Sequence, residues 1–257
     1  TRKQILKKIE DIENGNKQFK HELQEYNSLI NIEKQINDES LSITNLKNHF
    51  QFNYNETSLF LQNKGFLNND FSVPEKGICA TYIQETHCLA FTDFMNKNDY
   101  FINLSAIDIA CLLSCFSNIR VKDEVKIYNI QNIPVNYILT SSLVELNVIY
   151  ESYLIQESSL NNSDVDNLNI SFELVSYIHE WCISDDELTC KTILHKCESE
   201  FQIFTGEFIK TILKINNMVN EIKKFAEYTG NIQLLHKLEE IPDLTLKFIA
   251  TNQSLYV

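Results

Sequence analysis

The side chains of this chain that could do chemistry are scattered, and few of them fall at a spacing that chemistry requires. Cys111 and Cys115 stand four residues apart, on one face of any helix that contains them. Two thiols so placed could hold half of a tetrahedral zinc site. The only candidates for the other half are His87 with Cys88 and His195 with Cys197, and neither pair belongs to a recognisable ligand motif. The seven cysteines are odd in number and include no CxxC, which predicts buried free thiols in a reducing, intracellular compartment. Ser184-Asp185-Asp186-Glu187 carries acids but is followed by Leu188; it is expected to open a helix as a capping box rather than to hold Mg²⁺. Glu180 beside His179 lies on an amphipathic segment with no nucleophile at hand. The chain has no phosphate loop ending GK[ST], no G-x-S-x-G, no H-E-x-x-H and no G-x-G-x-x-G. No metal or cofactor site is therefore expected in this chain, and no catalytic residue is assigned.

One pattern suits binding. Lys210, Lys214, Asn217, Glu221 and Lys224 recur at four- and three-residue steps, opposite an apolar stripe of Phe208, Ile212, Ile215, Val219, Ile222 and Ala226. A lysine strip can meet phosphate, though a solvated helix face has the same look. The net charge of −13 weighs against a general polyanion binder, so any RNA contact must come from a local basic strip on an acidic body.

The elements that must position these residues read as helices. Five Gly and three Pro in 257 residues leave few turns, which argues for long helices with few connections. At 44% hydrophobic residues the chain can build a real core, and no apolar run approaches the ~20 residues that span a bilayer. Ile5, Ile9, Ile12, Asn16, Phe19, Leu23, Tyr26 and Ile30 alternate by four and three, a coiled-coil-like seam. Asn14-Gly15-Asn16 is a turn signal inside it, leaving either one stalk helix or a hairpin of two short ones. Residues 38–48 read as a polar link and Asn55–Lys64 as a helix that Gly65 ends. Phe66-Leu67 and Phe71-Ser72-Val73 read as a tiny β-hairpin. Pro74-Glu75 opens a helix. Ser105 caps the next, with Asp108 closing a capping box. Helices follow over 135–160, 172–182, about 187–200, about 205–228 (capped by Thr205) and 231–251. Ser158–Asn169 is an exposed loop, and Pro242 should bend or restart the last helix. The fold expected is all-α: a multi-helix bundle with a minor β-hairpin over 49–257, preceded by a stalk-like helix or helical hairpin over 1–48.

Three stretches are too idiosyncratic for generic helix. The first is Gly65–Ile83, GFLNNDFSVPEKGICATYI. The second is Leu104–Phe116, LSAIDIACLLSCF. The third comprises Trp181, Phe204-Thr205-Gly206-Glu207-Phe208-Ile209-Lys210 and the terminal Ser254-Leu255-Tyr256. In this order they resemble the C-terminal helical (DSHCT) domain of the superkiller-like DExH-box RNA helicases that feed RNA to the exosome. The resemblance implies a bundle beside two RecA-like motor domains, helping to enclose single-stranded RNA. It places an RNA-associated position on Lys210, where the family carries Arg, with Lys214 and Lys224 on the same face and Asp108 beside the family's acidic position, here Ile107. A second departure is Ile78, where the family carries Arg. The resemblance also implies that ATP and Mg²⁺ belong to motor domains upstream of Thr1, that the chain is a piece of a longer ATP hydrolase, that residues 1–48 take the place of an arch or its stalk, and that RNA-decay or processing factors are partners. The alternative is a non-enzymatic interaction module derived from that domain.

Overall fold

The computed structural model describes residues 2–15, 18–159 and 169–248. The chain divides into two units, Thr1–Ser58 and Leu59–Val257.

The first unit is helical. Helix α1 (Arg2–Gly15) ends at the expected turn signal, and α2 (Phe19–Asn63) then runs for 45 residues into the second unit. The break is thus where Gly15 predicts it, but the second helix is not short. The polar link expected over 38–48 is helix throughout. No Gly or Pro lies between Phe19 and Asn63, so nothing interrupts the backbone ladder. The hydroxyls that would favour a loop bond back into the helix instead: Thr44 Oγ1 donates to Ser40 O at 2.9 Å and Ser28 Oγ to Gln24 O at 2.8 Å. No residue of α2 is buried, and Ile30, Ile36 and Phe50 are all exposed. The polar position of the seam, Asn16, lies outside the described residues.

The second unit opens with the last residues of α2, which ends at Asn63. Gly65 adopts φ +74°, the left-handed conformation that favours glycine. Its N–H reaches Gln62 O at 3.0 Å and the next N–H, Phe66, reaches Leu61 O at 2.9 Å, the paired bonds of a Schellman ending. The hairpin expected over 66–73 does not form; no strand occurs among the described residues. Asp70 explains why. Its carboxylate accepts from both Ser72 N at 3.0 Å and Ser72 Oγ at 2.6 Å, and Asn68 N takes Ser72 O at 2.9 Å. These local bonds close a turn and take up groups that a ladder would need.

Among the described residues eight helices build the bundle: α3 (Glu75–Tyr82), α4 (Cys88–Lys97), α5 (Ala106–Leu113), α6 (Tyr137–Ser159), α7 (Val175–Ile183), α8 (Glu187–Phe201), α9 (Thr205–Thr229) and α10 (Ile232–Thr245). Helix α10 packs on α9, α5 and α7, while α4 bridges α3 and α6. The core between them holds Phe91, Phe94, Phe116, Trp181, Phe208, Ile212 and Ile215, all buried. Phe91 and Phe116 meet edge to face at 5.4 Å between centroids, and Trp181 lies 5.2 Å from Phe208.

Two helix starts differ from expectation. The cap of α8 is Asp186, whose side chain accepts from Thr189 N at 2.8 Å. Ser184 stays outside because its hydroxyl donates to Asp186 O at 3.2 Å. Thr205 is already inside α9. The cap position is Phe204, where Glu207 reaches back to the backbone N–H at 3.1 Å. Pro242 does not restart α10, which runs through it to Thr245; the rest of the stretch expected as helix to residue 251 lies outside the described residues, apart from 246–248. One feature has no sequence signal. Asp99, Tyr100 and Phe101 all have positive φ (44°, 53° and 64°), and Lys237 Nζ clamps the run by donating to Phe101 O at 3.1 Å and Ile102 O at 2.7 Å. Non-glycine residues there store strain of ~1–3 kcal/mol each.

Candidate nucleic-acid interface

The candidate site is built on α9. Its inward stripe, Phe208, Ile212, Ile215, Val219 and Ile222, is fully buried, which fixes the rotation of the helix. Lys210, Asn217 and Lys224 are consequently exposed along one outward line, with Lys214 and Glu221 half-buried between them. Fourteen residues separate Lys210 from Lys224, ~21 Å at the rise of an α-helix.

The middle of the line is occupied by protein. Glu221 Oε2 accepts from Gln84 N at 3.0 Å and Glu85 N at 3.3 Å, just past the end of α3. Asn217 Nδ2 donates to Glu85 Oε1 at 3.1 Å. The 84–85 turn thus lies against α9 and brings a second carboxylate to Lys214. Burial pulls the Lys214 ammonium below the ordinary lysine pKa, and Glu85 and Glu221 act in the opposite sense. Lys214 is therefore a compensated charge. Residues 84–85 are remote in sequence from α9, and no local pattern announces this contact.

Asp108 is buried and fully engaged. Its Oδ2 accepts from Ser105 N at 3.0 Å and from Ser105 Oγ at 2.7 Å, while Ser105 Oγ accepts from Asp108 N at 3.1 Å, completing the expected capping box. Its Oδ1 accepts from Asn136 Nδ2 at 2.6 Å. Asn136 Oδ1 in turn caps α6 by accepting from Leu139 N at 2.9 Å. One carboxylate thus ties the first turns of α5 and α6 together, and an RNA contact through Asp108 would first have to break those bonds.

The cysteines pack. All but Cys88 are buried. Burial pushes the thiols of Cys79, Cys182 and Cys197 up to about 12 and holds those of Cys111 and Cys115 well above the ordinary thiol range. These groups stay protonated and unreactive at neutral pH. Among the described residues, no three His, Cys, Asp or Glu side chains converge as a metal would need. No helix among them is long and apolar enough to cross a membrane.

The idiosyncratic stretches have structural meanings. In Glu75-Lys76-Gly77, Lys76 Nζ donates to Lys64 O at 2.6 Å, pairs with Asp93 and sits 4.2 Å over the Phe66 ring. A Cβ on Gly77 would stand 2.3 Å from Phe66 O. In Ser114-Cys115-Phe116, Ser114 Oγ donates to Cys111 O at 2.6 Å and Cys115 O accepts from Ser171 N at 2.9 Å. Trp181 Nε1 donates to Thr245 O at 3.0 Å, joining α7 to α10. The terminal Ser254-Leu255-Tyr256 lies outside the described residues.

No curated protein matches the chain. The DSHCT (NUC185) domain family matches residues 70–252, a span that holds the Lys76–Gly77 staple, the Asp108 box, the Trp181 tie and all of α9. The chain belongs to this family, the C-terminal helical domain of superkiller-like helicases.

Proposed function

We propose that this chain is the C-terminal bundle of an ATP-dependent RNA helicase, flanking the path of single-stranded RNA and bracing the motor domains of the same protein. The observation that carries the RNA part is the exposed pair Lys210 and Lys224 on one face of α9, in a domain of helicase descent. Lysine there offers phosphate a point charge rather than the planar fork of the family's arginine, which suits passage of a strand without reading its bases. Asp108 serves this role from a distance, by fixing α5 against α6. The chain's own residues do not suit ATP or Mg²⁺, since no phosphate loop is present; those ligands belong to the motor domains. The chemistry the motor supplies is ATP hydrolysis, and RNA-decay or processing factors are the expected partners. Residues 1–48 fit the base of an arch: a long helix whose apolar side chains are exposed along its length suits a stalk.

The test is Lys210→Glu with Lys224→Glu in the full helicase. Both side chains are exposed, so the bundle should fold as before, and RNA-stimulated ATP hydrolysis should fall several-fold. Unchanged stimulation at moderate salt would refute the RNA-flanking role. A second reading, an interaction module without RNA contact, is favoured by the charge of −13 and by the two carboxylates around Lys214. Filter binding of the chain to single-stranded RNA at low salt separates the two, because the module binds none.

A further inference from the structure

The outward line of α9 does not stop at Lys224. Tyr228 is the next residue on it. It follows Lys210 by five whole helical turns, ~27 Å along the axis, so the two side chains leave the helix in the same direction. Tyr228 lies about one turn beyond Lys224 and keeps 53% of its surface exposed. Its ring is braced by Tyr82, the last residue of α3, at 6.2 Å between centroids with the planes 46° apart. Tyr82 is half-buried against the core. The turn that follows it is tied to α9: Gln84 N and Glu85 N donate to Glu221, and Asn217 donates to Glu85. The carboxylates that occupy the middle of the lysine line thus hold the end of α3, and with it the Tyr82 ring, beside Tyr228.

Packing alone does not call for this arrangement. A tyrosine that only covered the end of α3 would bury its ring, as Tyr150 and Tyr153 do elsewhere in the bundle at 1% exposed. Here one ring is anchored, and the second presents an open face one turn from an exposed lysine. A cation beside an open aromatic face matches the repeating unit of a single strand, a phosphate with an unpaired base; duplex RNA keeps its bases stacked inside. Glu227 is exposed next to Tyr228 in sequence but stands ~100° round the helix, off the line. We propose that Tyr228, braced by Tyr82, is a stacking platform for one base of single-stranded RNA whose phosphate meets Lys224. Stacking accepts any base, so the platform grips the strand without reading its sequence. It rests on the RNA-flanking role proposed for α9 and adds to it a contact that is not ionic.

Fluorescence anisotropy of the full chain with a labelled oligouridylate, titrated at several salt concentrations, tests it. Tyr228→Ala should weaken binding about tenfold and leave the salt slope as in the wild type, because the lost contact carries no charge. Tyr228→Phe keeps the ring and should bind like the wild type. Lys210→Glu with Lys224→Glu should instead abolish the slope. A strand of the same length without bases should bind the wild type about tenfold more weakly, an arm that needs no variant, and should bind Tyr228→Ala no more weakly than the wild type. Tyr228 is exposed, and melts followed by Trp181 report whether its variants stay folded. The platform is overturned, with the lysine role intact, if Tyr228→Ala binds like the wild type while the lysine variant is weakened. It is also overturned if Tyr228→Phe loses as much as Tyr228→Ala, or if the strand without bases shows the same loss on Tyr228→Ala. A chain that binds no single strand at low salt would overturn the platform and the RNA-flanking role together.

Discussion

Replacing Gly77 by Ala adds one methyl group at the place where the chain passes closest to itself. The new Cβ would lie 2.3 Å from Phe66 O and 2.7 Å from Val73 Cγ1. Backbone oxygen cannot rotate aside, so the turn over 66–73 or the first residues of α3 must move by about an ångström. Phe66 is buried, and Lys76 stacks on its ring while pairing with Asp93, so the displacement reaches the packing of α3 on α4. Overpacking of this kind costs ~1–3 kcal/mol. Against it stands the helix preference of Ala over Gly, worth up to ~1 kcal/mol in a helix interior and less at Gly77, in the first turn. The net loss is ~2 kcal/mol, a fall of roughly 4–8 °C in melting temperature for a unit of this size.

The same change at Gly206 is the internal control. Nothing lies within 4 Å of a Cβ there, and its φ is not positive. Gly206→Ala should gain ~0.4–1 kcal/mol by restricting the unfolded chain. Thermal melts followed by Trp181, the only tryptophan and fully buried in the bundle, read both variants directly. If Gly77→Ala melts at or above the wild type, or if Gly206→Ala falls as far as Gly77→Ala, close approach is not why glycine stands at position 77.

Two further outcomes follow from the buried polar groups. Cys79, Cys182 and Cys197 ionise at an ordinary 9.0 in the unfolded chain but at about 12 when folded, so above pH 9 the unfolded state binds fewer protons. Stability is therefore intact below pH 9 and falls as pH rises towards 12, by up to ~1.4 kcal/mol per pH unit for each thiol; a denaturant midpoint unchanged from pH 8.5 to 10.5 would contradict this. Asn136→Ala removes the cap of α6 and leaves Asp108 Oδ1 without its donor, so the urea midpoint should drop by the equivalent of ~1–3 kcal/mol, and a drop no larger than that of a surface alanine change would show that the α5–α6 tie carries little.

Much of the bundle is legible in the sequence because its signals are local. Gly65 announces the end of α2, Pro74-Glu75 the start of α3, and Ser105 with Asp108 a box in which both bonds form. The α9 stripe gives that helix its rotation before any coordinate is known. The misreadings share a cause: residues with two possible local uses. Ser40 and Thr44 favour loops but bond back into an uninterrupted helix. Phe66 to Val73 alternates like a ribbon, yet Asp70 closes a turn within it. Ser184 and Thr205 are good caps by type, but Asp186 and Phe204 hold the positions. What no local pattern could show is long-range: Glu85 beside Lys214, and the unmatched oxygen of Glu173 facing neither solvent nor a donor.

The charge of the chain sharpens what α9 can do. Several lysines of the bundle are spent on backbone carbonyls. Lys76 donates to Lys64 O, Lys237 to Phe101 O and Ile102 O, and Lys247 to Cys182 O and Ser184 O. Lys214 faces Glu85 and Glu221. On the outward line of α9 the exposed cations are then Lys210 and Lys224, within a chain of net charge −13. Two phosphate contacts to a single strand give a salt slope of only about −1.4, since each contributes ~0.7. A bundle that grips RNA tightly would show a far steeper slope; one that guides a moving strand needs weak contacts that release at each step. The slope for this chain should therefore be shallow and should vanish in Lys210→Glu with Lys224→Glu. A steep slope that survives both changes would move the RNA contact off α9 altogether.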